Sequence, residues 1–331
     1  MTDEATNNTT TRSVQDCIDE RPIWPDGTAC NVTPLTRMQW RIFSLACAGK
    51  FFEGMLVFMT GVALPLISRE FGLGASEKGF VTAATLGGIL VGASALGGLA
   101  DRFGRRAMFI VEMILFVVFL AALSLTPNFP CLVIFLFGAG LALGCDYPTA
   151  HMVVSESIPT AVRGRLVLSA FAFQAVGAMV GSAVGFAILY EAPQLEAWRW
   201  MYATAILPAA VVIIGRLRIT ESPHWLASRG RIAEAERAIL RLLKRQPAYP
   251  RDVQLHRPPD ATGEASGERS GYAALFRRRN RRATILAAVP WFLQDLGTYG
   301  IGIFTPTILA SMIGGKTASR TLGDVIHNDM L

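Results

Sequence analysis

The chain has 331 residues, 52% of them hydrophobic and 17% charged, where soluble proteins carry roughly a quarter charged residues. That balance excludes a soluble enzyme and predicts an all-α membrane protein, because the hydrophobicity is concentrated in long continuous runs. The formal charge of +6 does not imply a nucleic-acid partner, since the basic residues sit almost entirely in the loops between those runs.

In chain order, the first 36 residues are polar, with no basic stretch leading into an apolar one. They are no cleaved signal peptide, and residues 1–40 read as a disordered tail. Seven apolar runs follow, at about 42–67, 79–100, 107–126, 131–154, 166–189, 200–215 with its flanks, and 283–312, each near the ~20 residues that a helix needs to cross a bilayer. The first six define a six-helix transmembrane bundle over 41–215, and 282–312 is a seventh transmembrane helix. Between them lies a basic loop, 216–281, and a short segment, 313–331, closes the chain. Of the 31 Lys and Arg, 16 lie between Arg216 and Arg282, four in the tail and its junction with the first span (the last at Arg41), three in 101–106 and two in 163–165. All these segments fall on one side of a seven-span topology, which predicts a cytoplasmic N-terminus and basic loop and a multi-pass protein of the plasma (inner) membrane. The five cysteines lie in or beside spans or in the tail and read as small packing residues, not as a disulfide framework.

Glycines recur at packing intervals, Gly88 and Gly92 in the second span and Gly177, Gly181 and Gly185 in the fifth. Such stripes let helix backbones approach closely. Pro148, Pro208, Pro290 and Pro306 each remove a backbone donor within or near a span and predict bends or breaks there. With Gly297, Gly300 and Gly302 between two of these prolines, the seventh span reads as a discontinuous helix. Inside the basic loop, residues 230–245 place Ile232, Ala235, Ile239 and Leu242 on one face and predict an amphipathic helix that packs under the bundle or on the lipid surface. Residues 246–270, rich in Pro, Gly and charge, read as a flexible linker.

The stretch GGLADRFGRR (97–106) supplies Gly97 and Gly104 for a tight turn, and Asp101, Arg102, Arg105 and Arg106 for a charged latch against neighbouring helix ends. It resembles the cytoplasmic signature of the major facilitator superfamily. SESIPTAVRG (155–164) and TESPHWL (220–226) resemble loops of the sugar-porter and phosphate-symporter branches, with Thr220 and His224 departing from the sugar-porter pattern. The resemblance covers about 41–312. It implies a major facilitator fold of twelve spans in two six-helix halves, so that this sequence reads as truncated after the seventh helix. It also implies that Glu156, Arg163 and Glu221 join Asp101 and Arg105 in a cytoplasmic charge network that holds one state of the transport cycle.

Polar residues inside the spans select the branch. GCDYPTA (144–150) and Gln174 resemble the Asp-Tyr-Pro and Gln of proton-coupled phosphate symporters, and Trp291, Asp295 and Tyr299 match that family's Trp-x3-Asp-x3-Tyr. A spacing of four puts the last three on one helical face. An acid within hydrocarbon is costly and is by default functional, so Asp146 and Asp295 are proton-carrier candidates, joined by Glu53 in the first span. Tyr147, Gln174, Trp291 and Tyr299 offer the directional polar contacts that a solute needs when it leaves water. Lys50, three residues before Glu53, either attracts an anion or neutralises that acid. His151 and Glu112 also lie in spans, and His151 either relays a proton or packs as a hydrogen-bonded ring.

No Walker loop, metal-ligand cluster or nucleophile elbow occurs, so no cofactor is expected and the proton gradient is the driving force. The expected partners are a small-molecule substrate, protons and the lipid bilayer, with a monomer when full length. The sequence thus predicts a secondary active transporter, not an enzyme, that carries phosphate or a similar small anion with protons by alternating access. A sugar or organic-acid carrier of the same superfamily, favoured by TESPHWL, is the alternative. A non-transporting truncated membrane fragment is the alternative of another class.

Overall fold

The computed structural model describes residues 12–24, 26–192, 194–244, 253–255 and 275–302. Ser13 caps α1 (Val14–Asp19), and Thr36 caps α2 (Arg37–Phe71). At the latter, the Gln39 amide donates to Thr36 Oγ1 at 3.1 Å while the Thr36 amide donates to Gln39 Oε1 at 2.8 Å, so two helix-end donors are satisfied reciprocally. Gly72 ends α2 at a φ of 65°, a left-handed conformation that glycine adopts without steric cost. The chain then forms α3 (Ala75–Val91), which passes into a π-helical stretch at Gly92–Leu96, and the short α4 (Leu99–Phe103). Next come α5 (Arg105–Ser124), α6 (Phe129–Ser157), α7 (Thr160–Glu191) and α8 (Ala197–Leu217). Two short helices, α9 (Pro223–Ser228) and α10 (Ile232–Leu242), lie at the basic end of the bundle, and α11 (Arg281–Gly302) follows.

Five of these helices, α2, α5, α6, α7 and α8, are long and apolar enough to cross a membrane. The second expected span is 17 residues of α3 prolonged by its π-helical stretch. The bundle turns large apolar side chains outward, among them Leu90, Leu168, Met179 and Leu207, as hydrocarbon requires in place of a polar surface.

Small residues set the spacing. A Cβ at Gly177 would collide with the Phe51 carbonyl of α2, and one at Gly54 with the Gln174 carbonyl of α7. Gly88 and Gly92 do the same for α3 against α6, where Gly140 and Gly144 reciprocate. Backbones that touch gain dispersion along their whole length, which is the main attraction available between helices in lipid. Between these contacts Phe52, Phe116, Met201 and Leu136 fill a core. Trp198 and Tyr202 are fully buried there, with the indole donating to Glu70 at 2.6 Å and the phenol 3.0 Å from Thr60 Oγ1.

The tail and the proline breaks need correction, and the place of the amphipathic helix is decided. Residues 12–36 are not a featureless tail: α1 packs Val14, Cys17 and Ile18 into an apolar cluster with Ile158, Leu226 and Ile239. Asp19 accepts from the Thr160 amide at 2.6 Å and hydroxyl at 2.7 Å, so it caps α7 across the sequence. Of the two places open to the amphipathic helix, α10 takes the one under the bundle: Ala235, Ile239 and Leu242 are buried, and Thr36 donates to the Leu242 carbonyl at 2.6 Å. Pro148, Pro208 and Pro290 lie inside helices that continue through them. The seventh span is likewise helical without a break from Arg281 to Gly302, since a proline forfeits one backbone bond but leaves its neighbours' bonds intact. Pro306 lies outside the described residues.

Gly177→Leu is expected to force α2 and α7 apart and cost about 3 kcal/mol, seen as a thermal midpoint roughly 5–10 °C lower in detergent. An unchanged midpoint would contradict the close packing. The docking of α1 is also testable. Burial raises the Asp19 carboxyl, but the bonds from Thr160 and Gln15 and the charge of Arg163 hold it below its ordinary value of 3.8. A depressed acid contributes stability above its free pKa and loses it as pH falls through the depressed value, so α1 is expected to loosen in strong acid and not at neutral pH. Asp19→Ala removes the interaction at any pH. Maleimide labelling of the buried Cys17, read by mass spectrometry of its peptide, is expected to rise about fivefold.

Candidate functional site

Lys50 and Glu53 lie one turn apart on α2, and their side chains are 2% and 5% exposed with 3.2 Å between Nζ and Oε2. Lys50 is thus engaged by Glu53, and of its two open readings the neutralising one describes this state. Gln174 of α7 reaches across to Glu53 Oε1 at 3.4 Å. The Lys50 ammonium also lies over the Tyr147 ring of α6 and 5.3 Å from the Phe171 ring of α7, a desolvated cation–π arrangement. Tyr147, His151 and Phe171 pack together, with His151 and Phe171 at right angles and 5.1 Å between centroids. His151 packs as a ring and its Nε2 makes no hydrogen bond among the described residues. Lys50, Glu53, Tyr147 and Gln174 are therefore brought together by three helices, α2, α6 and α7.

Asp146 departs from expectation. It is buried, but it is not a lone desolvated acid, because Arg216 Nη1 lies 2.6 Å from its Oδ1 with both side chains essentially inaccessible. Arg216 was counted among the basic loop residues. It is instead the last buried residue of α8, donating to the Phe109 carbonyl at 2.6 Å and the Leu45 carbonyl at 3.3 Å, with its guanidinium 3.5 Å from the Phe109 ring centroid. Gly49 makes the approach possible, since a Cβ there would overlap the Asp146 carboxylate. One turn along α6, Thr149 donates to Glu112 Oε1 of α5 at 2.8 Å. Arg216, Gly49 and Glu112 are residues to which the sequence assigned no role. An arginine at the end of an apolar run, IIGR, was the available signal, and it reads equally well as a loop charge.

At the basic end, Arg105 is the hub. It bonds Glu156 through Nε at 3.2 Å and Nη2 at 3.1 Å, pairs with Asp101 at 2.8 Å and donates to the Ala100 carbonyl at 2.9 Å. Glu221 accepts from the amides of Arg106 and Ser222, each at 2.9 Å, and Ser222 Oγ bonds Glu156. Asp101 and Arg102 also receive Arg229 through their carbonyls, at 2.7 and 3.3 Å. The expected network of Asp101, Arg105, Glu156 and Glu221 is thus assembled, with three differences. Gly97 lies in a turn between the π-helical stretch and α4, but at a φ of −55° that any residue adopts, and what its missing Cβ does is admit Pro148 of α6. Gly104 is the position that needs glycine for its backbone, at a φ of 105°. Arg102 contributes its carbonyl while its exposed side chain lies over Phe103. Arg163 bonds Gln15 of α1 at 2.8 Å, since the tail expected to be disordered is ordered there and competes for it. Burial lowers the pKa of His224, behind Glu156, and the nearby Arg163 and Arg105 act in the same direction.

Trp291, Asp295 and Tyr299 lie within α11, so their spacing of four holds along an unbroken helix. Their side chains lie outside the described residues, and nothing here joins them to the cluster on α2, α6 and α7.

Residues 30–325 match the family described as sugar (and other) transporter. The chain is 30% identical over 286 residues to the putative metabolite transport protein YaaU of Escherichia coli K12, covering 86% of this chain and 61% of that protein. It is 29% identical to the galactose-proton symporter of the same strain, over 86% and 60% of the two chains. The chain therefore spans about three-fifths of the length of these relatives. Among solved structures, the major facilitator superfamily proton:xylose symporter XylE, bound to 6-bromo-6-deoxy-D-glucose, superposes with a TM-score of 0.57 at 23% identity, over 62% of this chain and 49% of that one. The fold is the expected one, whereas phosphate, the first expected substrate, finds no support in these matches. The apolar helices and the match across 30–325 together make this integral membrane protein a member of the sugar (and other) transporter family, with the fold seen in the major facilitator superfamily structure.

Proposed function

We propose that the protein is a proton-coupled symporter of a small neutral polyhydroxylated solute, of the sugar class, working by alternating access. One observation carries this: the buried cations of the cluster are already matched, Lys50 by Glu53 and Arg216 by Asp146. Neither cation is therefore left uncompensated, so nothing in the cluster balances a phosphate dianion that has to leave water. Gln174 and Tyr147 offer uncharged donors and acceptors in its place, as hydroxyl recognition needs. Trp291, Asp295 and Tyr299 are assigned to the same site by their spacing alone, with Asp295 as a further proton carrier.

The basic end is the cytoplasmic end in this reading, because Lys and Arg concentrate there, and the membrane is the plasma (inner) membrane. Arg105, Glu156, Asp101 and Glu221 hold that end closed, tying α4, α5 and α6 to the segment that leads into α9. One proton moving inward down one pH unit and 100 mV supplies about 3.7 kcal/mol, enough for roughly 500-fold accumulation of a neutral solute. A second reading, an aromatic monocarboxylate, is favoured by the Lys50 ammonium lying against Tyr147 and beside Phe171. There a substrate carboxylate would take the place of Glu53 on Lys50.

In proteoliposomes with an acidic exterior, galactose or xylose is expected to accumulate while phosphate does not, and Glu53→Gln is expected to reduce that accumulation roughly tenfold, the effect of removing one buried partner of a charge pair. Accumulation of 4-hydroxybenzoate alone supports the second reading. Accumulation of phosphate, or of none of the three, refutes the proposal. Arg105→Ala removes the hub of the closed end. It is expected to lower the rate of gradient-driven uptake roughly tenfold, and an unchanged rate would remove the gate role.

A further inference from the structure

Glu112 stands apart from the other buried acids. Glu53 has Lys50 at 3.2 Å and Asp146 has Arg216 at 2.6 Å. Glu112 is 2% exposed and accepts one bond, from the Thr149 hydroxyl, while its second oxygen has no hydrogen-bond partner among the described residues. A buried carboxylate with an unmatched oxygen is costly, whereas the neutral acid is far less so. The groups around it come from two helices. On α6 these are Asp146, Cys145 and Thr149, and on α8 Arg216; Asp146 and Arg216 both act on Glu112 electrostatically, and Glu112 acts on Cys145. The arrangement is reciprocal along both helices. Thr149, which holds Glu112, is one turn from Asp146, and Phe109, whose carbonyl holds Arg216, is one turn before Glu112.

We propose that Glu112 and Asp146 share one proton and one guanidinium, and that Glu112 carries the proton in this state. Asp146 holds Arg216, and Glu112 is the neutral acid. When Arg216 turns to Glu112, the Glu112 O–H bond breaks and its proton is taken up by Asp146, so the number of protons and charges in the layer is unchanged. Release then proceeds from Asp146, or from Glu112 in the reverse direction, toward the Arg105 layer, seven residues and about 10 Å along α5. The inference rests on the proton-coupled reading given above, and it adds an acid on α5 and an arginine on α8 to the coupling residues.

Infrared difference spectroscopy of the full chain in lipid at neutral pH reads a protonated carboxyl directly through its carbonyl stretch. The band is expected in the wild type and is expected to be lost in Glu112→Gln. A band that persists in that variant, or the lack of any band in the wild type, overturns the proposal. Because glutamine has the shape of the neutral acid and keeps an acceptor for Thr149, the variant is expected to melt within a few degrees of the wild type. A large fall in its midpoint would mean that the charged form is the native one, and would also overturn the proposal. Gradient-driven accumulation is expected to drop at least tenfold in Glu112→Gln, and undiminished accumulation counts against the role. If the wild type accumulates nothing, the transport reading fails, while the infrared result still decides which group holds the proton.

Discussion

A guanidinium that is 0% exposed inside an apolar bundle is tolerable only if its charge is matched, and the packing of this protein follows from how Arg216 is matched. Its partners are a carboxylate on α6, a carbonyl and an aromatic face on α5, and a carbonyl on α2. One side chain of α8 therefore fixes the relative depth of three other helices. The carbonyls it uses are already helix acceptors, and their second lone pairs cost nothing extra to engage. The constraint propagates to composition, since the Asp146 carboxylate fits only because position 49 of α2 is glycine.

From the basic end inward the charged groups form three layers whose strengths differ by burial. In the outermost, the Asp101 side chain is 63% exposed and that of Glu156 18%. An exposed pair contributes about 1 kcal/mol or less. The inner layers, Arg216 with Asp146 and Lys50 with Glu53, are dry, and breaking such a pair by losing one partner costs about 3–5 kcal/mol. The Arg105–Asp101 contact is thus the cheap one to break, whereas Arg105–Glu156, at 9% and 18% exposed, is closer to the inner pairs. The inner pairs suit exchange, in which a partner is swapped and never simply lost.

The long helices and their packing stripes were legible because they depend on patterns that a single chain displays, namely apolar length and glycines four apart. Asp101 and Arg105 were legible because GGLADRFGRR is local and puts them one turn apart, while Glu156 and Glu221 were legible only through the family resemblance. What escaped depends on pairings across the sequence. Arg216 is 70 residues from Asp146, and nothing adjacent to it distinguishes a buried arginine from a loop arginine. The order at residues 12–36 escaped for a related reason: α1 is six residues long and has no stability of its own. Its structure comes from Asp19 finding the open amides of α7 and from Cys17 and Ile18 finding the underside of α9 and α10. Of the bends or breaks expected at the prolines, the breaks do not occur at Pro148 and Pro208, whose helices continue through them.

The far end of the bundle shows what the basic end does with its weaker contacts. There Glu70 of α2 accepts the Trp198 indole at 2.6 Å and pairs with Arg199 at 2.7 Å, while Arg199 also donates to the Thr126 carbonyl between α5 and α6. These groups are partly buried, with Glu70 and Arg199 near one-fifth exposed, and the clamp joins the same helices that Arg216 joins from the other side. Helices α2, α5, α6 and α8 are held at two heights by different charges, and α7 is held to α2 by backbone contact through Gly54 and Gly177. A body fixed at two levels resists internal shear and turns as a unit. In such a body the groups free to change partner are those whose exchange leaves both clamps standing, and the proposed sharing of Arg216 between Asp146 and Glu112 meets that condition.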